Sequence, residues 1–182
     1  MKKTLMFFIC LAMLSGCATT QMVKMEQKPE VVADQEVAML VIIRDTFFGG
    51  AIVFWNYLDG KLIGETSGNT YIVAKVPPGP HYVVSSCENT GIAHFDFQAG
   101  KVYYLRQGIT MGVLTARTSG FFPMTREEAL EAMPKCSYLE LKPDAPREDM
   151  DPTLYQKAIT EYEAGIKDHP EAYKELLEYS GE

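Results

Sequence analysis

Short apolar runs broken by glycine and proline fill residues 37–141. Val37-Ala-Met-Leu-Val-Ile-Ile43 is unbroken and rich in β-branched side chains, which predicts a strand buried on both faces. It stops at Arg44-Asp45, and Phe47-Phe48-Gly49-Gly50 reads as a loop. Ala51–Leu58 and Lys61–Glu65 follow as strands joined by Asp59-Gly60, two residues suited to the left-handed positions of a tight hairpin turn. Thr70–Val76 is a further strand, ended by Pro77-Pro78-Gly79-Pro80 because proline has no ladder donor and glycine permits the reversal. His81–Ser86 comes next, then Ile92–Phe97, where Ala93, Phe95 and Phe97 alternate with Ile92, His94 and Asp96. Ala99-Gly100-Lys101 is a turn, Val102–Arg106 and Ile109–Ala116 read as two more strands, and Cys136–Leu141 as the last. Strands this short, separated by turn signals at this spacing, predict a mainly β chain, an antiparallel β-sandwich of about seven to eight strands with short C-terminal α-helices.

Helical spacing appears only late. Thr125-Arg-Glu-Glu128 has the form of a capping box and opens a short helix ending near Pro134. Lys142–Asp149 is a charged, proline-containing linker. Asp151-Pro152 then caps a helix in which Tyr155, Ile159, Tyr162 and Ile166 form one apolar stripe. Pro170 opens a last helical segment bearing Tyr173, Leu176 and Leu177. The expected division is therefore a sandwich domain over 37–141, followed by a linker and helical appendage over 142–182.

Residues 1–16 have a different character, with a basic start (Met1-Lys2-Lys3-Thr4) and an apolar run from Leu5 to Leu14. That run is too short for a membrane span, which needs roughly 20 residues, and reads as a secretory signal. Its ending, Leu14-Ser15-Gly16-Cys17, resembles the lipobox of bacterial lipoproteins. The resemblance implies cleavage between Gly16 and Cys17, with lipidation of the Cys17 sulfur and acylation of its new amine. Position 18 is Ala rather than the Asp that tends to retain lipoproteins at the inner membrane. The implied location is the outer membrane, lipid-anchored and facing the periplasm if the host is Gram-negative. The membrane is then a partner through the N-terminal lipid. Residues 17–36 read as a lipidated N-terminus and flexible tether, the stretch 18–36 spanning about 25 Å root-mean-square.

Of the chain's 182 residues, 166 remain once residues 1–16 are removed, and the loss of Lys2 and Lys3 takes the formal charge from −7 to −9. No basic patch or stripe is visible, so nucleic acid is not an expected partner. Cys87 and Cys136 are the cysteines left outside the signal and lipidation site. In an oxidising compartment they could form a disulfide, closing a loop whose chain-entropy contribution is roughly 4 kcal/mol. The alternative is two buried thiols packing as small apolar groups.

Catalytic chemistry is hard to find in this pattern. Ser119-Gly120 reads as a turn rather than a nucleophile elbow. His94 and Asp96 share a strand face but lack the further ligands of a metal site, and exposed polar strand residues account for them better. His81 is expected to help close its hairpin, and His169 to cap the helix at Pro170. No enzyme, metal or cofactor is expected. The aromatics offer the binding hint: Phe47, Phe48, Phe121 and Phe122 fall in expected loops, with Trp55 and Tyr57 nearby. They fit either lids folded over the ends of the sandwich or an exposed recognition surface.

Several pieces follow one another in order: Val53-Phe-Trp-Asn-Tyr-Leu-Asp-Gly-Lys-Leu-Ile-Gly64, Val76-Pro-Pro-Gly-Pro-His81 and Gly100-Lys-Val-Tyr-Tyr104. Over roughly residues 37–141 this series resembles an uncharacterised family of short bacterial lipoproteins whose β-domain has no known function. It also resembles the PEGA-type surface module, with its Asp-Gly-Lys hairpin and Pro-Gly-His turn. The resemblance implies a β-sandwich at the cell envelope and carries over no catalytic residues. The expected role is a non-enzymatic structural or interaction module with an envelope protein partner; the alternative is a small-ligand or glycan-binding lipoprotein using the loop aromatics.

Overall fold

The computed structural model describes residues 20–112 and 116–182. Gly16 and Cys17 lie outside them. The described residues form ten strands and three α-helices: β1 Met22–Lys24, β2 Ala38–Arg44, β3 Phe54–Leu58, β4 Lys61–Thr66, β5 Thr70–Val76, β6 Gly79–Ser86, β7 Thr90–Phe97, β8 Val102–Met111, β9 Ala116–Pro123, α1 Arg126–Ala132, β10 Ser137–Leu141, α2 Pro152–Asp168 and α3 Pro170–Glu178. A 3₁₀ turn, Met133–Lys135, links α1 to β10.

Six strands form one sheet in the order β1-β10-β5-β2-β8-β9, and four form another in the order β4-β3-β6-β7. The expected mainly β, sandwich-like class with C-terminal helices is what the chain adopts. The sheets are not wholly antiparallel, because β10 runs parallel to β5 and β2 parallel to β8. Parallel neighbours need long crossovers, and the smaller sheet is built within the β2–β8 connection.

β2 sits inside the larger sheet and is buried on both faces. Leu40 and Ile42 point into a core shared with Ile72, Val83, Phe95, Phe97, Tyr103 and Phe121. Val41 and Ile43 point the other way, into a second core with Tyr71, Tyr104, Met124, Met133, Cys136 and Tyr138. Helix α1 covers that second core through Ala129 and Ala132. Its capping box is present: the Glu128 amide donates to Thr125 Oγ1 at 3.2 Å, and the Thr125 amide to Glu128 Oε2 at 2.9 Å.

The hairpin at Asp59-Gly60 also forms as the residues predict, with φ values of 49° and 79°. Two expectations need correction. Val102–Met111 is one continuous strand rather than two. Residues 119–120 are not a loop: Ser119 and Gly120 lie within β9, which pairs antiparallel with β8 across a register shift at Gly108/Ile109. The shift and the φ of 99° at Gly120 let a Ser-Gly pair sit in a ladder, a place its turn-like composition does not suggest.

The flanking segments are tied to the body. β1 adds to the edge of the larger sheet opposite β10, with Met22 facing Leu141, so part of the stretch expected as tether is paired strand. At the other end, the Tyr162 ring stands edge-on to Tyr82, and its hydroxyl accepts from the His94 amide at 3.3 Å. Tyr179 packs against Phe95 and Tyr103, and Glu182 exchanges both backbone hydrogen bonds with Val102. The segment expected as an appendage thus contributes to the main core.

Candidate functional site

The outer face of the β3–β4 hairpin carries an unusual set of side chains. Trp55 pairs with Glu65 and Tyr57 with Leu62, with a bulge between these pairs. Leu62 and Glu65 are three positions apart and would face opposite sides of a regular strand. The bulge restores both to one face and turns Ile63 towards the core. Glu65 is only 4 % exposed. Its Oε2 accepts from Thr20 Oγ1 at 2.6 Å and from the Gln21 amide at 3.3 Å. Among the described residues, no Lys or Arg forms an ion pair with it.

These residues floor an open cleft of about 620 Å³, within the size range of small-ligand sites. Its walls are the chain around Thr20 and Gln21, the loop Ala51–Val53, and Glu88 and Glu148. Three carboxylates line it and no Lys or Arg does. Burial, then the negative charges of Glu148, Glu65 and Asp149, push the Tyr57 hydroxyl above its ordinary pKa. Lys142 lies nearby, but its Nζ donates to the Thr20 carbonyl at 2.7 Å.

Arg44 fixes the loop on one side of this cleft. It has no exposed surface, and its guanidinium donates to the Ile52 carbonyl (2.7 Å), to Gly49 (2.7 Å) and to Phe48 (3.4 Å) while lying 4.3 Å from the centre of the Phe54 ring. Gly49 is required at this turn: its φ is 61°, and a Cβ there would meet the Ala116 Cβ at 2.7 Å. Behind the hairpin, between the sheets, Gln107 donates to Asn56 Oδ1 and Ser85 Oγ at 2.7 Å each and accepts from Thr66 Oγ1. This buried polar cluster joins the sheets beneath β3.

A second cleft, about 510 Å³, lies where α2 and α3 meet the β7–β9 seam and includes Phe122, Tyr162, His169 and Tyr173 in its lining. It holds one carboxylate, Glu161, and its walls are set by packing of the helices.

The aromatics singled out in the sequence divide. Phe47, Phe48 and Phe122 are 79 %, 46 % and 44 % exposed, whereas Phe121 is 2 % exposed within the main core. Phe121 and Phe122 lie on β9 rather than in a loop, facing opposite ways. Phe47 and Phe48 share one end of the molecule with Met111, itself 71 % exposed, because Gly49 seats their loop against Ala116, the strand partner of Met111. Cys87 and Cys136 are free thiols, not a disulfide. Cys87 Sγ approaches Asn89 Oδ1 and the Ala116 carbonyl at 3.7 Å, while Cys136 is buried in the second core. Burial pushes the Cys136 thiol up to about 11.

His81 does not close a hairpin at its own turn, because β5 and β6 belong to different sheets; its Nδ1 lies 2.5 Å from Asp59 Oδ2 in the β3–β4 turn instead. His94 lies against the Tyr82 ring. His169 makes no side-chain cap at α3, contrary to expectation, and its amide closes α2 on the Gly165 carbonyl instead. Among the described residues, no group of three His, Cys, Asp or Glu could hold a metal ion. Sequence reasoning missed Glu65, Thr20 and Glu148, which meet only after folding. The one local signal was a carboxylate set in an otherwise strand-like run.

Comparison with known proteins bears on the β-domain. A family model described as a protein of unknown function (DUF2846) matches residues 34–121, from just before β2 into β9. An uncharacterized protein of Haemophilus influenzae is 27 % identical over 128 residues, covering 68 % of this chain and 76 % of its own length. These likenesses support a family of unknown function. The DUF2846 match includes the β3–β4 hairpin and Arg44 but neither Thr20 nor the helices. No solved structure matches.

Proposed function

We propose that this chain is a lipid-anchored cell-envelope protein acting as a non-enzymatic interaction module, facing the periplasm from the outer membrane of a Gram-negative host. The anchor rests on the likeness of Leu14-Ser15-Gly16-Cys17 to a lipobox, with Ala18 following. The Asp59-Gly60-Lys61 hairpin and the Pro77–His81 turn, similar to PEGA-type surface modules, support an envelope role. The observation that carries the interaction reading is the apolar end where Phe47 and Phe48, on a loop that a buried arginine fastens to the core, are exposed together with Met111 at the end of β8. Exposed apolar groups gathered on a fixed loop favour contact with a partner, here an envelope protein.

Metabolic labelling with a fatty acid tests the anchor. Cys17→Ser should abolish incorporation, because the serine hydroxyl cannot replace the modified thiol. Undiminished label in the variant would refute it. A second reading, a small-ligand-binding lipoprotein, is favoured by the cleft floored by Trp55 and Glu65.

A further inference from the structure

We infer that the cleft over the β3–β4 hairpin is a binding site for an organic ammonium group, a protonated amine carried on an apolar stem. The inference deepens the ligand-binding reading and does not depend on the Phe47 surface. Its first support is the buried Glu65 carboxylate, which takes its hydrogen bonds from a neutral hydroxyl and a backbone amide rather than from Lys or Arg. A buried carboxylate is costly to leave without an opposite charge, and a bound cation supplies one. The second is the composition of the walls: Glu148 and Glu88 add negative charge, and no Lys or Arg lines the cavity. The third is Gln21, which lines the same cleft and whose side-chain Oε1 is buried without a donor. A small rotation of that amide would offer its carbonyl to an N–H. The fourth is aromatic. Trp55, 39 % exposed, sits directly across the ladder from Glu65, and Tyr57 follows on the same face. A cation is attracted to such ring faces, and Leu62 beneath them suits an apolar stem. An anion would meet repulsion here, and a neutral sugar would leave the charge of Glu65 uncompensated.

Two sources could present this chemistry: a free alkylamine, or the ammonium headgroup of an aminophospholipid. Under the proposed anchor, three peptide steps separate Cys17 from Thr20, a reach of about 10 Å. Thr20 is itself held on Glu65, so the headgroup layer would lie within range of the cleft.

Trp55 is the chain's one tryptophan, so its fluorescence reports this site directly. The full chain in a non-ionic detergent is titrated with butylammonium and, in parallel, with 1-butanol, a neutral analogue of similar shape. A saturable response to butylammonium without a matching one to butanol is expected. Glu65→Gln should weaken binding about tenfold, the scale of one hydrogen bond to a charged group. Glu148→Gln, on the exposed linker, should weaken it by a smaller factor without touching the fold, and Phe47→Ala should leave it unchanged. Equal responses to amine and alcohol, or full-strength binding in both glutamate variants, would overturn the inference. Phosphatidylethanolamine added to the micelles separates the sources. Its competition with butylammonium, where phosphatidylglycerol does not compete, assigns the lipid headgroup, and its failure to compete assigns a soluble amine.

Discussion

Arg44 shows how much of this molecule depends on one side chain. A guanidinium without exposed surface loses its hydration, and burial pushes its pKa down to about 10, so it remains charged at neutral pH. No carboxylate pairs with it among the described residues; it contacts three carbonyls and the Phe54 ring. Arg44→Met would fill the space yet remove the guanidinium donor from the Ile52 carbonyl, while the Gly49 carbonyl would keep only the Ile52 amide. The expected cost is about 1–3 kcal/mol. Hydrogen exchange should rise selectively over residues 45–53, because the fork that spans their carbonyls is gone. Unchanged stability and protection would show that the loop is fixed by its own turn geometry. In the sequence, Arg44 marks only the polar end of an apolar run. Its burial depends on the loop folding back over it, which local pattern cannot show.

The C-terminal segment gives the corresponding argument for elements. Tyr179, just after α3, accepts from the Tyr104 amide at 2.9 Å and donates to the Met124 carbonyl at 3.3 Å. Tyr179→Phe keeps the ring against Phe95 and Tyr103 but orphans a buried backbone donor, at about 1–3 kcal/mol. The same hydroxyl gives an alkaline signature, since burial pushes it up to about 12 from an ordinary 10. A phenol whose folded pKa is raised favours folding fully below pH 10, and that contribution is lost as pH climbs through 12. Cys136, raised from 9 to about 11, begins the same loss earlier. Denaturant titrations should therefore show stability falling above about pH 9. The fall between pH 10 and 12 should be shallower in Tyr179→Phe, and identical slopes would contradict the assignment. Elements fixed by local chemistry were legible from the sequence: β2 by its apolar run, the Asp59-Gly60 turn, and α1 by its capping box. β1, the continuity of β8, β9 and the parallel pairings were not, because edge docking, bulges and crossovers are decided by distant partners. The cleft divides likewise. Trp55 and Tyr57 stood out as aromatics, whereas bringing Glu65 onto their face needs a bulge, and Thr20 joins it from 45 residues away.

At the scale of the whole molecule, apolar side chains are used in two ways, and the four phenylalanines singled out in the sequence separate them. Phe121 fills the core between the sheets, so Phe121→Ala removes a buried ring and leaves a cavity. Such a change costs about 3–5 kcal/mol. Phe47 and Phe48 sit on the fastened loop at the exposed end, and their truncation should move stability by no more than about 0.5 kcal/mol. Phe122 is half exposed on β9, facing away from Phe121 beside the helix cleft, and belongs with the exposed group. If the apolar end meets an envelope partner, Phe47→Ala and Phe48→Ala should reduce crosslinking to that partner in intact cells at unchanged melting temperature. Phe122→Ala, at the other cleft, should leave the crosslink in place. Marked destabilisation by Phe47→Ala would instead make that ring a lid over the sandwich end. Unchanged melting together with unchanged crosslinking would remove the partner surface from this end, while the ammonium site over β3 and β4 would still stand or fall on Trp55 fluorescence.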